Sequence, residues 1–243
     1  MQPDIKHRFE AARLPLVVSP TPIIHAITRG ADSIFQMDIQ RNKKTNQECF
    51  RIYCGAPDND VLVTGVDNDL RQVVLHVSEP RHQFTERQWD ARRHKYVSVV
   101  RTTNTFARAY LMGHDETALF IAELPARVTN VTQAHECLKP AAVKTRQRTS
   151  KVKRQGEWFF LPVTAEEERQ IADLLHLQPI EHKVQIGHSH NPHIAEFRLG
   201  DFVKGHINHP QHHSLKLVGW RRFVRNTEAE QTARRDPRIG WID

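Results

Sequence analysis

Residues 61–75 read VLVTGVDNDLRQVVL, and this stretch decides the fold class. Two short apolar runs, 61–63 and 73–75, flank the cluster Asp-Asn-Asp at 67–69. Asn and Asp favour turns because their side chains bond to the nearby backbone and tolerate unusual backbone angles. Short apolar runs separated by such turns are typical of antiparallel strands. The stretch therefore predicts antiparallel β-structure.

The same pattern extends through the first 125 residues. Apolar and polar residues alternate after Phe35, Phe50 and Phe106, which is typical of half-buried strands. This pattern favours an antiparallel sheet, a sandwich or an open barrel. Asn130 is a good N-cap residue and Pro140 stops helices, so a helix is predicted over 131–138.

The second half is predicted to be a small α+β unit. The apolar run WFFL at 158–161 predicts a strand, and Thr164 with Glu167 matches a helix capping box. Four further strands are predicted, over 182–186, 194–199, 202–208 and 214–224. We therefore expect a β-rich α+β protein with an antiparallel-sheet N-terminal domain (1–140), a basic linker (141–156) and a smaller α+β domain (157–243).

The bulk composition is typical of a globular protein. The chain has 243 residues, of which 39% are hydrophobic, and its formal net charge is +7. It contains no run of 18 apolar residues, so we expect neither a membrane span nor a membrane partner. Its three cysteines lack Cys-x-x-Cys spacing and its N-terminus lacks a secretory signal pattern, which favours the cytoplasm.

Positive charge is concentrated in the predicted linker. No acidic residue occurs between Glu136 and Glu157. Lysine and arginine neutralise phosphates and release counterions, so such a run attracts nucleic acid. The alternative is an ordinary solvated linker. The candidate phosphate-binding residues are Lys144, Arg146, Arg148, Lys151, Lys153 and Arg154.

Histidine is concentrated further along the chain. Nine of the sixteen histidines fall within 176–213. Neutral imidazole is a common ligand for transition metals and also transfers protons near neutral pH. His188 and His190 are spaced to share one side of an extended segment, and a turn at Pro210 brings His209 near His212. Most of these histidines are alternatively expected to be surface or turn residues.

One catalytic site can be assembled from these residues. His193, His209 and His212 are the candidate ligands of a divalent metal, zinc or manganese. The ion activates water, and Glu196 is either a further ligand or the general base. His193 and Glu196 are therefore the candidate catalytic residues. No His-Glu-x-x-His, Walker A or Gly-x-Ser-x-Gly motif occurs. Their absence disfavours a metalloprotease of that type, a P-loop nucleotide-driven enzyme and a serine α/β-hydrolase.

Several short motifs carry a family resemblance. They are RQGEWFF at 154–160, HIAE at 193–196 and HPQH at 209–212 leading to Gly219-Trp220, with RIY at 51–53 and LFIA at 119–122. In these motifs the chain resembles a bacterial family of uncharacterised proteins. The resemblance implies one shared architecture over most of the chain and no particular activity.

Three functions are compatible with the sequence. The leading hypothesis is a nucleic-acid-binding protein, for DNA or RNA, that contacts phosphates through the basic segment. The second is a metal-dependent hydrolase or nuclease with the His/Glu site, so enzymatic activity stays open. The third is a structural or adaptor subunit of a protein complex.

Overall fold

A computed structural model of the chain describes residues 3–25, 27, 30–146, 151–187, 192–227 and 238. Strands dominate and helices are few, which confirms the β-rich α+β class. The chain divides into two compact units. Unit 1 comprises Met1–His114, Leu119–Glu136 and Gln231–Ile242, and unit 2 comprises Asp115–Ala118, Cys137–Glu230 and Asp243.

Unit 1 begins with a helix and a three-stranded sheet. Its order is β1-β3-β2, with β1 parallel and β2 antiparallel to β3. Phe9 of the helix packs edge-on against Phe50, with ring centroids 5.7 Å apart. The elements are α1 (Pro3–Ala11), β1 (Leu16–Val18), β2 (Gln36–Arg41) and β3 (Glu48–Tyr53).

Residues 61–75 form an antiparallel hairpin, as predicted. In its turn, Oδ1 of Asp67 accepts the backbone N–H groups of Asp69 and Leu70. The hairpin belongs to a four-stranded sheet of order β4-β5-β8-β9, one face of which joins the unit 1 core. These strands are β4 (Asp60–Asp67), β5 (Gln72–Glu79), β8 (Phe106–Asp115) and β9 (Ala118–Leu124).

A two-stranded hairpin and one further helix complete the first half of the chain. Strands β6 (Gln83–Asp90) and β7 (Lys95–Thr102) pair only with each other among the described residues. Helix α2 (Val131–Leu138) spans the predicted range. Its N-terminus is capped as predicted, because Oδ1 of Asn130 accepts the N–H of Gln133 at 2.8 Å.

Unit 2 is built on a six-stranded antiparallel sheet of order β10-β11-β15-β14-β13-β12. Segment 141–156, expected to be a linker, holds α3 and β10, and both belong to unit 2. The elements are α3 (Ala141–Arg146), β10 (Lys153–Gln155), β11 (Trp158–Pro162), α4 (Ala165–Leu177), β12 (Glu181–Ile186), β13 (His193–Leu199), β14 (Phe202–His209) and β15 (His212–Arg225).

The two faces of this sheet are covered differently. On one face, the helices pack: Val143 of α3 against Phe159, and Ile171 of α4 against Phe202. On the other face, Trp158 packs with Ile186, although β11 and β12 lie near opposite edges of the sheet. A sheet whose opposite edges meet is strongly curved, so this face encloses a core of its own.

Candidate metal centre

Three imidazoles meet at one end of this curved sheet. His209 ends β14 and His212 begins β15, and the two residues pair directly across the Pro210-Gln211 turn. His193 begins β13 and pairs with Ile186. The ring centroid of His193 lies 4.3 Å from that of His209 and 5.6 Å from that of His212. One nitrogen from each ring lies within 4.8 Å of the other two, so this group can hold a metal ion.

A glycine turn lies against two of these rings. Gly156 is the first residue of the two-residue turn between β10 and β11, and its φ is +54°. A Cβ at this position would lie 2.9 Å from Nε2 of His212 and 3.3 Å from Nε2 of His193. The two Nε2 atoms therefore converge beside the turn. Both the backbone angle and the available space favour glycine here.

Two carboxylates lie on the other side of the same rings. Oε1 of Glu157 is 3.9 Å from Nδ1 of His193, and Oε2 of Glu116 is 3.7 Å from Nδ1 of His212. Oε2 of Glu116 also accepts the backbone N–H of His213 at 2.6 Å. Carboxylates commonly orient the imidazoles that ligate metals, because they accept the N–H opposite the ligand atom. Glu157 and Glu116 occupy that position, just beyond hydrogen-bond distance.

His193 is the most buried member of the group, at 1% exposure. Burial lowers the pKa of its imidazole to about 3, and the nearby charges of His209, His212 and Arg225 act in the same direction. Neither ring nitrogen of His193 forms a hydrogen bond with any described residue. A neutral imidazole with both nitrogens buried and unbonded is costly unless it gains a partner. A bound metal ion would provide that partner.

The ring of His209 is oriented by the backbone. The N–H of Gln211 donates to Nδ1 of His209 at 3.1 Å. An ion bound at Nε2 would require the ring proton to sit on Nδ1, which could then no longer accept the N–H of Gln211. An ion bound at Nδ1 would occupy the lone pair that accepts this N–H. Either way this hydrogen bond is given up when a metal binds, at a cost of about 1 kcal/mol.

Glu196, the predicted catalytic carboxylate, lies outside the histidine group. Successive strand residues face opposite sides, so Glu196 faces away from His193 and Ala195. Its Oε2 accepts the backbone N–H of His206 and pairs with Nδ1 of that residue, both at 2.8 Å. These hydrogen bonds lower the pKa of Glu196. The carboxylates near the three rings are Glu157 and Glu116 instead.

The sequence did not predict either carboxylate as a neighbour of these three histidines. Glu157 lies inside the RQGEWFF motif and directly follows Gly156, so the resemblance carried a signal for it. Glu116 lies in the turn between β8 and β9, nearly a hundred residues before His212, and no spacing rule connects them. His188 and His190, the other predicted pair, lie outside the described residues.

The predicted phosphate-binding residues differ in their hydrogen-bond partners and in their exposure to solvent. Arg146 makes two hydrogen bonds to the Glu167 carboxylate, at 3.0 and 2.7 Å, so its charge is neutralised. Nε of Arg154 donates to the carbonyl of Gly156, and its guanidinium lies 5.6 Å from the centre of the Phe159 ring. Lys144 and Lys151 are exposed, whereas Arg148 lies outside the described residues.

Lys153 and Lys151 lie beside cations of another strand. Nζ of Lys153 donates to the carbonyl of Lys216 at 2.7 Å, and Arg221 donates to the carbonyl of Lys151 at 3.0 Å. Two lysines of the basic segment are thereby brought next to two cations of β15.

Comparison with known proteins adds no relative: no family model, no curated protein and no solved structure matches this chain. Among the described residues, no helix has the length and apolar character needed to cross a membrane. The three motifs at 154–160, 193–196 and 209–212 nevertheless converge, because each supplies a residue to the histidine group or its surroundings.

Proposed function

We propose that this protein is a metal-dependent hydrolase whose divalent ion is held by His193, His209 and His212. The observation that supports the proposal is the clustering of three imidazole nitrogens within 4.8 Å around a buried, unbonded histidine. Nitrogens bound at about 2 Å to a tetrahedral ion stand about 3.3 Å apart. The rings therefore need to close by at most about 1.5 Å to hold an ion.

The composition of the group favours zinc and a catalytic role. Imidazole suits zinc, whereas manganese prefers carboxylate and carbonyl oxygens. Three protein ligands leave a fourth position for water, which is the usual arrangement in catalytic zinc sites. A zinc ion held by these histidines would supply Lewis-acid activation of water at neutral pH. In this scheme Glu157 and Glu116 orient the imidazoles of His193 and His212.

Metal analysis of protein purified without a histidine tag tests this proposal. We expect about one zinc per chain, loss of that zinc in the double variant His193→Ala/His209→Ala, and retention in His206→Ala. The control removes an imidazole of the same half that contacts Glu196 and not the metal group. Hydrolysis of p-nitrophenyl esters and of bis-p-nitrophenyl phosphate should follow the metal content. Sub-stoichiometric metal in the unaltered protein would overturn the proposal.

A second candidate function is nucleic-acid binding through the basic segment. It is favoured by the neighbouring positions of Lys151, Lys153, Lys216 and Arg221. Phosphate contacts of this kind make the affinity fall steeply with salt. The charge-reversed variant Lys151→Glu/Lys153→Glu should lower both the affinity for nucleic acid and the slope of its salt dependence. A salt-independent or unaltered affinity would contradict this candidate. A nuclease would combine the two functions, because both sets of residues belong to unit 2.

A further inference from the structure

The β6–β7 hairpin of unit 1 exposes one of its two faces. Trp89 pairs with Tyr96 across the strands, and Thr85 pairs with Val100 four residues further along each strand. Directly paired residues lie on the same side of a hairpin, so these four share one face. Trp89, Tyr96 and Val100 are 49%, 61% and 63% exposed. Large apolar side chains that stay this exposed together commonly mark an interaction site.

The opposite face of the hairpin is attached to unit 1. Phe84 lies close to Gly30, since a Cβ on that glycine would be 3.2 Å from Cδ1 of Phe84. Thr103 also anchors the base of the hairpin, because its hydroxyl accepts the N–H of His82 at 2.9 Å. The exposed face is therefore held in place from behind.

The hairpin is strongly basic. Residues 81–102 contain six lysines and arginines but only two acidic residues. Glu86 pairs with Arg101 at 2.9 Å. Asp90 accepts the backbone N–H of Arg92 at 2.9 Å, and its other oxygen lies 3.7 Å from Nε of the exposed Arg93. The six cations are all exposed, and they are Arg81, Arg87, Arg92, Arg93, Lys95 and Arg101.

Aromatic rings and cations lie together on the exposed face. The rings of Trp89 and Tyr96 pack edge to face with centroids 5.2 Å apart, and the guanidinium of Arg87 lies 5.9 Å from the centre of the Tyr96 ring. Single-stranded nucleic acid is recognised by this combination, because unpaired bases stack on aromatic rings while cations follow the phosphates. In a duplex the faces of the bases are already stacked on one another, so the two rings would find no partner there.

We infer that the exposed face of the β6–β7 hairpin binds single-stranded nucleic acid. Bases stack on Trp89 and Tyr96, and phosphates contact Arg87, Arg92 and Arg93. The inference is independent of the metal proposal. It extends the second candidate function to a surface in unit 1, distinct from the basic segment of unit 2.

Fluorescence anisotropy of the full chain with labelled 15-nucleotide single strands, DNA and RNA, tests the inference. Trp89→Ala/Tyr96→Ala should weaken binding at least about tenfold, because each stacked base contributes substantially to affinity. Trp89→Phe/Tyr96→Phe keeps two rings for stacking and should retain most of the binding. Arg92→Glu/Arg93→Glu should reduce the slope of affinity against salt. Circular dichroism confirms that each variant is folded.

The outcomes separate this inference from the basic-segment candidate. Loss of binding in the hairpin variants with little change in Lys151→Glu/Lys153→Glu supports the hairpin as the site. The reverse result overturns the inference and leaves the basic segment as the site. Equal affinity for duplex and single strands, or binding to anionic vesicles but not to single strands, would also overturn it.

Discussion

At the scale of single residues, the candidate metal centre involves a glycine as well as three histidines. Gly156 allows the β10–β11 turn to approach two imidazoles, and no side chain with a Cβ fits between them without a shift. A left-handed backbone conformation costs roughly 1–2 kcal/mol for residues other than glycine. The same turn places Glu157 behind His193.

Gly156→Ala should therefore weaken zinc binding without removing any ligand. The added methyl displaces His212 and His193, and we expect the affinity for zinc, measured by competition with a chelator, to fall at least about tenfold, as for other changes around ligands. Gly200→Ala is a matched control: its φ is +56°, close to that of Gly156, but a Cβ there meets nothing nearer than 3.6 Å. It should lose similar stability and keep its zinc. Equal zinc affinities in the two variants would show that the close contact of Gly156 with the His193 and His212 rings does not matter for zinc binding.

At the scale of elements, Glu167 links three parts of unit 2. Its carboxylate accepts two hydrogen bonds from Arg146 of α3, lies 3.3 Å from Arg222 of β15 and closes the capping box at Thr164 of α4. Burial raises the pKa of Glu167, but the hydrogen bonds from Arg146 and from the Thr164 backbone outweigh it, so the pKa lies below its ordinary value. The ionised form therefore stabilises the folded protein.

Glu167→Gln should lower the free energy of unfolding by about 2 kcal/mol at pH 7, the scale of hydrogen bonds to a charged group. Because the folded-state pKa is lowered, this contribution is present above the unfolded value of 4.5 and is lost as pH falls through the folded value. Urea unfolding of both proteins from pH 7 to pH 3 should show the difference shrinking on the acid side. The neighbouring, exposed Glu168→Gln should have little effect at any pH. A difference that stays constant with pH would contradict the role of ionisation.

The positions of helices and turns were largely predictable from the sequence, whereas the contacts of individual side chains across the fold were not. Local signals such as the Asn130 cap, the Thr164–Glu167 box and the 67–69 turn fixed helices and turns close to their observed positions. Whether the charge of Arg146 is neutralised depends on the carboxylate of Glu167, which lies 21 residues further along the chain and is brought close only by tertiary packing. The sequence pattern therefore could not distinguish an ion-paired arginine from one available to phosphate.

The same distinction applies to the site. His209 and His212 lie at either end of a two-residue turn, so their proximity follows from local chain geometry. His193 joins them only because β13 lies beside β14, and the alternation along β13 then turns Glu196 away. The spacing therefore predicted that His209 and His212 are neighbours. The carboxylates near the three rings depend on tertiary structure instead.

At the scale of the whole molecule, metal binding should stabilise one unit. All three proposed ligands, the glycine turn and both nearby carboxylates belong to unit 2. A ligand that binds only the folded state adds stability in proportion to the logarithm of its excess over Kd, about 2.7 kcal/mol at a hundredfold excess. Hydrogen exchange should thus slow on zinc addition at the start of β13, around the 209–212 turn and at residues 155–157. Exchange of the β4–β5 hairpin in unit 1 should stay unchanged. In His193→Ala/His209→Ala, zinc should protect none of these segments, and protection that persists there would place the ion elsewhere.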